Sequence, residues 1–152
     1  MKYLLVLLAL CLSGCTQGLS EEDTEKLREM MMTTEALPPS PTNRVSDLPA
    51  AVQLGRSLFF DTRMSMDGTI ACASCHDPNE GWSDPRPLSL GVEEREGGRH
   101  SMPVQATAFQ TFWFWDGRAD SLWSQAIKAI ESHPEMDFTR VEVARFIAEH
   151  YR

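Results

Sequence analysis

The residues of this chain best suited to chemistry lie in the stretch Cys72-Ala73-Ser74-Cys75-His76. Cys-x-x-Cys-His is the attachment sequence of a c-type haem. Two thiols separated by two residues can share one helical turn and form thioethers with the two vinyl groups of a haem. The histidine that follows can bind the iron as an axial ligand. We therefore predict one covalent haem c on Cys72 and Cys75, with His76 bound to its iron.

A Cys-x-x-Cys pair also occurs in zinc sites and in redox dithiols. A structural zinc site needs about four protein ligands, and the remaining cysteines, Cys11 and Cys15, fall in the leader region. A redox dithiol has no need of His76, and the surrounding sequence does not indicate a βαβ unit. Haem attachment is therefore the favoured interpretation.

The start of the chain predicts its compartment. Residues 1–14 combine a positive charge at Lys2 with an apolar run too short to remain in a bilayer as a permanent helix, as in an export signal. Leu12-Ser13-Gly14-Cys15 resembles a lipobox, which predicts cleavage before Cys15 and a lipid on its sulfur. We expect a periplasmic protein that is anchored to a membrane. An unpaired cysteine in a removed leader is the alternative, and export is expected in either case.

Residues 15–44 are predicted to form a tether and a proline-rich linker. Ser20 can cap a short helix, with Asp23 at the capping-box position. Prolines 38, 39 and 41 then favour an extended segment. The formal net charge of −8 argues against nucleic acid and against an anionic membrane surface as partners.

The remaining residues, 45–152, are predicted to form one all-α domain with long irregular loops. Ser46 can cap a first helix that has Pro49 in its first turn and ends near Asp61. Apolar residues at helical spacing predict a second helix within 120–130. The many glycines and prolines of 77–103 indicate an irregular loop, for which a haem face is the obvious packing partner.

The end of the chain has a third helix signal. Thr139 and Glu142 stand three residues apart, as in a capping box, and apolar residues follow them at helical spacing up to Tyr151. No pair of segments has the alternation of polar and apolar residues that is typical of strands.

Several stretches together resemble a known family. They are Leu54–Ser65, Gly68–His76 and Phe114–Ala119, followed by Ser121-Leu122, Gln125-Ala126 and Glu135-Met136. Their order and spacing are similar to those in the N-terminal half of bacterial di-haem cytochrome c peroxidases and the related MauG enzymes. This resemblance implies a cytochrome c-like haem domain that reduces hydrogen peroxide. The electrons would come from a small periplasmic redox protein, a cytochrome c or a cupredoxin.

The resemblance also implies roles for individual residues. His76 matches the proximal ligand of the peroxidatic haem, and Trp115 matches a tryptophan that passes electrons between two haems. Gln125 and Glu135 match polar residues of the distal pocket, where a carboxylate can move a proton between peroxide oxygens. Without the resemblance, Trp115 would be interpreted as a buried core aromatic, and Glu135 as a helix cap or a solvated charge. Arg118 is most simply a structural ion-pair donor, with a haem propionate as an alternative partner.

The sequence departs from the family pattern in three places. Val92 stands where many members have a distal histidine, which implies an open sixth position on the iron, as in the MauG-like state. Ala106 replaces an asparagine that borders an inter-domain calcium site, which argues against calcium binding. No second Cys-x-x-Cys-His follows before Arg152, so we expect either part of a di-haem protein or a one-haem protein.

Two main hypotheses follow from these observations. In the first, the chain is the peroxidatic part of a cytochrome c peroxidase. In the second, it is a mono-haem electron-transfer cytochrome without peroxidase activity, in which Met102 or Met136 is the sixth ligand. Oxidation of a protein side chain, as MauG performs it, is a third possibility that the residues do not separate from peroxidase activity.

Overall fold

The computed structural model describes residues 20–30 and 37–151 of the chain. The chain divides into two compact units, 1–36 and 37–152. In the first unit, helix α1 spans Glu21–Met30. The Ser20 hydroxyl accepts the Asp23 N–H at 3.0 Å and donates to the Asp23 carboxylate at 2.6 Å, which confirms the predicted cap.

The predicted export signal and the lipid site at Cys15 lie outside the described residues. Within the two described ranges, no helix has the length and apolar character needed to cross a membrane.

The second unit begins with turns and then helix α2, Pro49–Phe59. Residues 40–48 form successive turns, so the extended conformation predicted around Pro41 was wrong at residues 40–43. The predicted cap was also wrong, because the Ser46 hydroxyl bonds the Asn43 carbonyl at 3.1 Å and Leu48 precedes the helix instead. Pro49 occupies the start of the helix, where its missing N–H costs nothing.

The middle of the chain, residues 65–121, is irregular and includes the loop 77–103 that the sequence predicts. Its one α-helical turn is α3, Cys72–Cys75, and its other regular pieces are short 3₁₀ turns at Pro78–Glu80, Val92–Glu94 and Thr107–Phe109. Isolated antiparallel bridges join Asp77 to Ser83, Leu90 to Glu96 and Trp113 to Ala119. They are the strand-like pairings of the described residues, so the all-α prediction is confirmed at this level.

Two longer helices follow, α4 at Leu122–Ile130 and α5 at Arg140–His150. The predicted capping box of α5 is present. The Thr139 N–H donates to the Glu142 carboxylate at 2.7 Å, and the Glu142 N–H donates to the Thr139 hydroxyl at 3.3 Å. These two bonds satisfy donors that the first turn of a helix leaves unpaired.

The helices enclose a small apolar cluster, which we call the helical core. Its buried members are Met64, Ile130, Met136 and Phe146. Partly buried residues pack around them: Leu58, Ile70, Phe138, Val143, Ile147 and Tyr151. Ile70 is near the start of α3, so the helical core supports one end of the Cys-x-x-Cys-His segment.

Candidate functional site

The Cys-x-x-Cys-His segment forms a tight turn, residues 71–76, which we call the haem turn. The Ala71 N–H donates to the Ser74 hydroxyl at 3.0 Å, and this bond starts α3. The His76 N–H donates to the Cys72 carbonyl at 2.9 Å, and this bond ends it. The sequence predicted a helical turn here, and the structure places both thiols and the imidazole within it.

The two thiols are free and half-buried. Burial raises the pKa of Cys72 and of Cys75. At Cys75 a hydrogen bond from the neighbouring Ser89 side chain lowers the pKa again in part, while the charges of Asp84 and Glu135 raise it. Polar groups of two other segments therefore act on Cys75: Asp84 and Ser89 of one loop, and Glu135.

The His76 side chain has the state that an iron ligand needs. Burial lowers its pKa, although backbone groups of Trp82 and Met102 and the charge of Asp84 oppose this effect. The neutral imidazole that results is the form that binds metals. Its Nδ1 atom is buried and makes no hydrogen bond of normal length and angle. These features fit a covalent haem, with thioethers on Cys72 and Cys75 and His76 as axial ligand.

The zinc alternative finds no further support in the described ranges. In residues 20–30 and 37–151, no three histidine, cysteine, aspartate or glutamate side chains converge as a metal-binding group.

Glu135, predicted to be a distal acid, is fixed through its backbone. The Val92 N–H donates to the Glu135 carbonyl at 2.8 Å. A Cβ atom at Gly91 would lie 2.2 Å from the Pro134 carbonyl oxygen and 2.4 Å from that of Glu135, so only glycine fits there. Val92, at the position of the missing distal histidine, is completely buried. The Gly91-Val92 pair therefore sets the position of Glu135.

The carboxyl group of Glu135 lies in the electrostatic field of the haem turn. Burial raises the pKa of Glu135, whereas a hydrogen bond with Ser132 and the charge of Arg118 lower it in part. Its charge in turn acts on the Cys75 thiol. Glu135 is half-buried, so it is not a fully solvated charge, and its role in the distal pocket stays a prediction.

Trp115 is exposed and is tied to the haem turn by a chain of hydrogen bonds. The residue is 60% exposed, which excludes the buried core aromatic considered above. Its Nε1–H donates to the His100 carbonyl at 2.9 Å, and the His100 ring contacts the Ser83 hydroxyl at 3.2 Å. Ser83 pairs with Asp77, the residue after His76.

Gln125 and Arg118 have simpler surroundings. Gln125 is half-buried on α4, where its N–H bonds the carbonyl of the cap residue Ser121 at 2.9 Å. Its distal-pocket role stays a prediction. Arg118 pairs with Asp116 at 2.9 Å, and its guanidinium lies 3.5 Å from the centre of the Phe114 ring.

The two methionines named as possible sixth ligands differ in position. Met136 is buried in the helical core with Met64, Ile130 and Phe146. Met102 is half-buried, and its backbone lies beside the His76 imidazole. The position of Met136 therefore disfavours it as an iron ligand.

One charged pair that acts on the haem turn, Asp84 and Arg86, was not predicted from the sequence. The Asp84 side chain is fully buried. Arg86 donates to its carboxylate through Nη2 at 2.7 Å and Nε at 2.9 Å, which lowers the pKa of Asp84 to about 2. Aspartate two residues before arginine was a visible signal for a local turn. Its burial against the haem turn was not visible.

Comparison with known proteins gives a consistent family. The family model described as di-haem cytochrome c peroxidase matches residues 49–152. The methylamine utilization protein MauG of Methylorubrum extorquens is 37% identical over 124 residues, covering 82% of this chain and 35% of that protein. The cytochrome c551 peroxidase of Pseudomonas aeruginosa is 39% identical over 87 residues, covering 57% and 25%.

Solved structures agree with the sequence matches. A MauG-like protein associated with microbial copper homeostasis superposes with a TM-score of 0.65 at 25% identity, covering 78% of this chain and 35% of that one. The diheme peroxidase BthA of Burkholderia thailandensis gives a TM-score of 0.61 at 25% identity, covering 76% and 32%. The chain thus spans at most about a third of the length of these relatives.

Proposed function

Because the chain belongs to the di-haem cytochrome c peroxidase family, which includes MauG, we propose that it is a peroxidase domain of cytochrome c-like fold. It would reduce hydrogen peroxide with electrons from a small redox protein, a cytochrome c or a cupredoxin. One observation carries this proposal. The charge of a half-buried carboxyl group, Glu135, acts on the Cys75 thiol, and the backbone of Glu135 is held by a contact that only glycine permits.

Three residues would hold the cofactor. Cys72 and Cys75 would carry the two thioethers of haem c, and His76 would bind the iron. When bound, haem supplies the redox chemistry with which peroxide is cleaved. The neutral state of His76 and the shared turn of the two thiols support this assignment.

Glu135 would act as the acid and base of the site. Its carboxylate oxygen can accept a proton from one peroxide oxygen and return it to the oxygen that leaves. Burial raises the pKa of Glu135. A raised pKa makes the carboxyl group better able to hold that proton. Gln125 would position peroxide from α4, and Trp115 would pass electrons from its exposed position.

Export belongs to the same proposal. Residues 1–14 would direct the chain to the periplasm, and a lipid on Cys15 would anchor it to a membrane. Covalent haem attachment outside the cytoplasm agrees with this location.

The experiment compares peroxide reactions in two glutamate variants of the haem-loaded chain. Glu135→Gln preserves size but removes the proton-accepting group, and Glu149→Gln makes the same change at an exposed position on α5. General acid–base assistance contributes about 10²–10⁴ in rate. Stopped-flow absorbance should therefore show a loss in that range for Glu135→Gln and a wild-type rate for Glu149→Gln.

Two outcomes would oppose the proposal. Equal rates in wild type and Glu135→Gln would remove Glu135 from the mechanism. A slow wild-type reaction, with a six-coordinate low-spin spectrum that is lost in Met102→Ala, would favour the electron carrier instead.

A further inference from the structure

We propose that Asp84 acts on the haem site through its charge: the buried negative charge close to His76 lowers the reduction potential of iron bound there. This inference rests on the proposed function, in which His76 binds the iron of a covalent haem.

The backbone pairing of two short segments brings Asp84 close to His76. Asp77 and Ser83 form an isolated antiparallel bridge, with the Asp77 N–H donating to the Ser83 carbonyl at 3.0 Å. His76 precedes Asp77 and Asp84 follows Ser83, so the bridge brings the backbones of His76 and Asp84 near each other. The charge of Asp84 acts on the His76 imidazole.

The charge of Asp84 is permanent at physiological pH. Its side chain is fully buried, yet it accepts three hydrogen bonds from Arg86: the backbone N–H at 2.9 Å, Nε at 2.9 Å and Nη2 at 2.7 Å. Chiefly because of these bonds, the pKa of Asp84 is about 2. The carboxylate is therefore ionised in a region of low solvent access, where charges interact strongly.

The opposite charges of Asp84 and Arg86 do not cancel at the haem turn, because the aspartate is buried and the arginine is partly exposed. The Asp84 side chain is 0% exposed, whereas that of Arg86 is 45% exposed. The charge of Asp84 acts on both Cys75 and His76. Arg86 also acts on Cys75, but less strongly than Asp84 does. The negative end of the pair therefore dominates at the haem turn.

The sign of the effect follows from electrostatics. One-electron reduction of ferric to ferrous iron adds negative charge at the site, with the electron supplied by a chemical reductant. A buried carboxylate nearby opposes that addition, and burial and local charge are recognised controls of haem potential. Removing the charge should therefore raise the midpoint potential.

The chain contains a matched control for this test. Asp61 makes the same three bonds with Arg63, at 3.0, 2.9 and 2.6 Å, and its side chain is 8% exposed. The carboxylate of Asp61 interacts with Arg63 and Tyr151 rather than with the haem turn. Asp61→Asn and Asp84→Asn thus remove the same charge from two equally built turns.

The experiment is a spectroscopic redox titration of the haem-loaded 152-residue chain and both variants. For Asp84→Asn we expect the equilibrium constant for reduction of ferric to ferrous iron to increase on the order of tenfold. This corresponds to an increase of about 59 mV in the midpoint potential. Asp61→Asn should titrate like wild type. An Asp84→Asn potential equal to that of wild type overturns the inference, as does an equal upward shift in Asp61→Asn.

Two further arms keep the test decisive. If Asp84→Asn does not accumulate, the double variant Asp84→Asn/Arg86→Gln replaces the ion pair with a neutral pair and leaves no unpaired buried charge. It should also titrate above wild type, and an unchanged potential overturns the inference. Haem that extracts from the wild-type chain would instead overturn the proposed function, and is detected before any titration.

Discussion

Two turns of this chain are built from the same local pattern. Asp61-Thr62-Arg63 and Asp84-Pro85-Arg86 each fold so that the arginine backbone N–H, Nε and Nη2 all donate to the aspartate. Corresponding distances in the two turns differ by at most about 0.1 Å. The hydrogen-bond geometry of the turn thus follows from an aspartate two residues before an arginine, and it does not depend on where in the fold the pair lies.

The surroundings of the two turns differ. At the first, the Tyr151 hydroxyl donates to Asp61 at 2.6 Å, and the Arg63 guanidinium lies 5.0 Å from the centre of the Phe146 ring. That turn joins the end of α2 to α5 and supports the helical core. At the second, the charge of Asp84 acts on Cys75 and His76 of the haem turn. The same Asp-x-Arg turn therefore stabilises helix packing at the helical core and supplies a negative charge near the haem turn.

The largest expected effect is in the helical core. Phe146→Ala should lower the free energy of unfolding by about 3–5 kcal/mol, because it leaves a cavity beneath Arg63. Phe112→Ala, at a ring that is 63% exposed, should change it by no more than about 0.5 kcal/mol. Urea denaturation of both variants measures the difference. Similar losses in the two would show that the helical core does not dominate stability.

The next effect concerns the second region. Gly91→Ala should cost about 1–3 kcal/mol, since its Cβ would collide with the backbone of Pro134 and Glu135. The collision should also displace Glu135 and slow the peroxide reaction. Gly98→Ala, which meets nothing within 4 Å, serves as control. A Gly91→Ala protein with the melting temperature and the peroxide rate of Gly98→Ala would refute the backbone contact.

The smallest expected effect is a loss of folding stability at low pH, to which the aspartates of both turns contribute. Arginine hydrogen bonds lower the pKa of Asp84 from 3.8 to about 2, and they lower that of Asp61 as well. A lowered pKa in the folded state gives stability that is complete above about pH 4 and is lost as pH falls towards about 2.

Urea denaturation at several pH values tests this dependence. Asp61→Asn and Asp84→Asn should each lose less stability than wild type as pH falls from about 5 to about 3, because each lacks one group that takes up a proton on unfolding. A variant whose stability falls as steeply as that of wild type would show that its carboxylate does not contribute.

Much of the helical framework could be predicted from the sequence, because its signals are local. The capping box of Thr139 and Glu142 and the helical turn of Cys72–Cys75 depend on residues within one turn of each other. The helix cap predicted at Ser46 was wrong for a similar local reason. A serine hydroxyl can cap a helix or bond within a turn, and the Ser46 hydroxyl bonds the Asn43 carbonyl in a turn.

The site was less predictable, since it depends on contacts between distant segments. The charge of Asp84 acts on His76, and the pairing of Asp77 with Ser83 brings their segments together. The charge of Glu135 acts on Cys75, and Gly91 permits the close approach of backbones at Glu135. The resemblance to a family indicated Glu135, but nothing in the local sequence indicated Asp84.

The central claim is that haem is bound covalently through Cys72 and Cys75. The most direct measurement is the pyridine haemochrome spectrum of the haem-loaded chain after acid–acetone extraction, compared with that of Cys72→Ala/Cys75→Ala. We predict that one haem stays with the wild-type polypeptide and that none stays with the double variant. Complete extraction from the wild type, or haem retained after extraction of the double variant, would contradict the account.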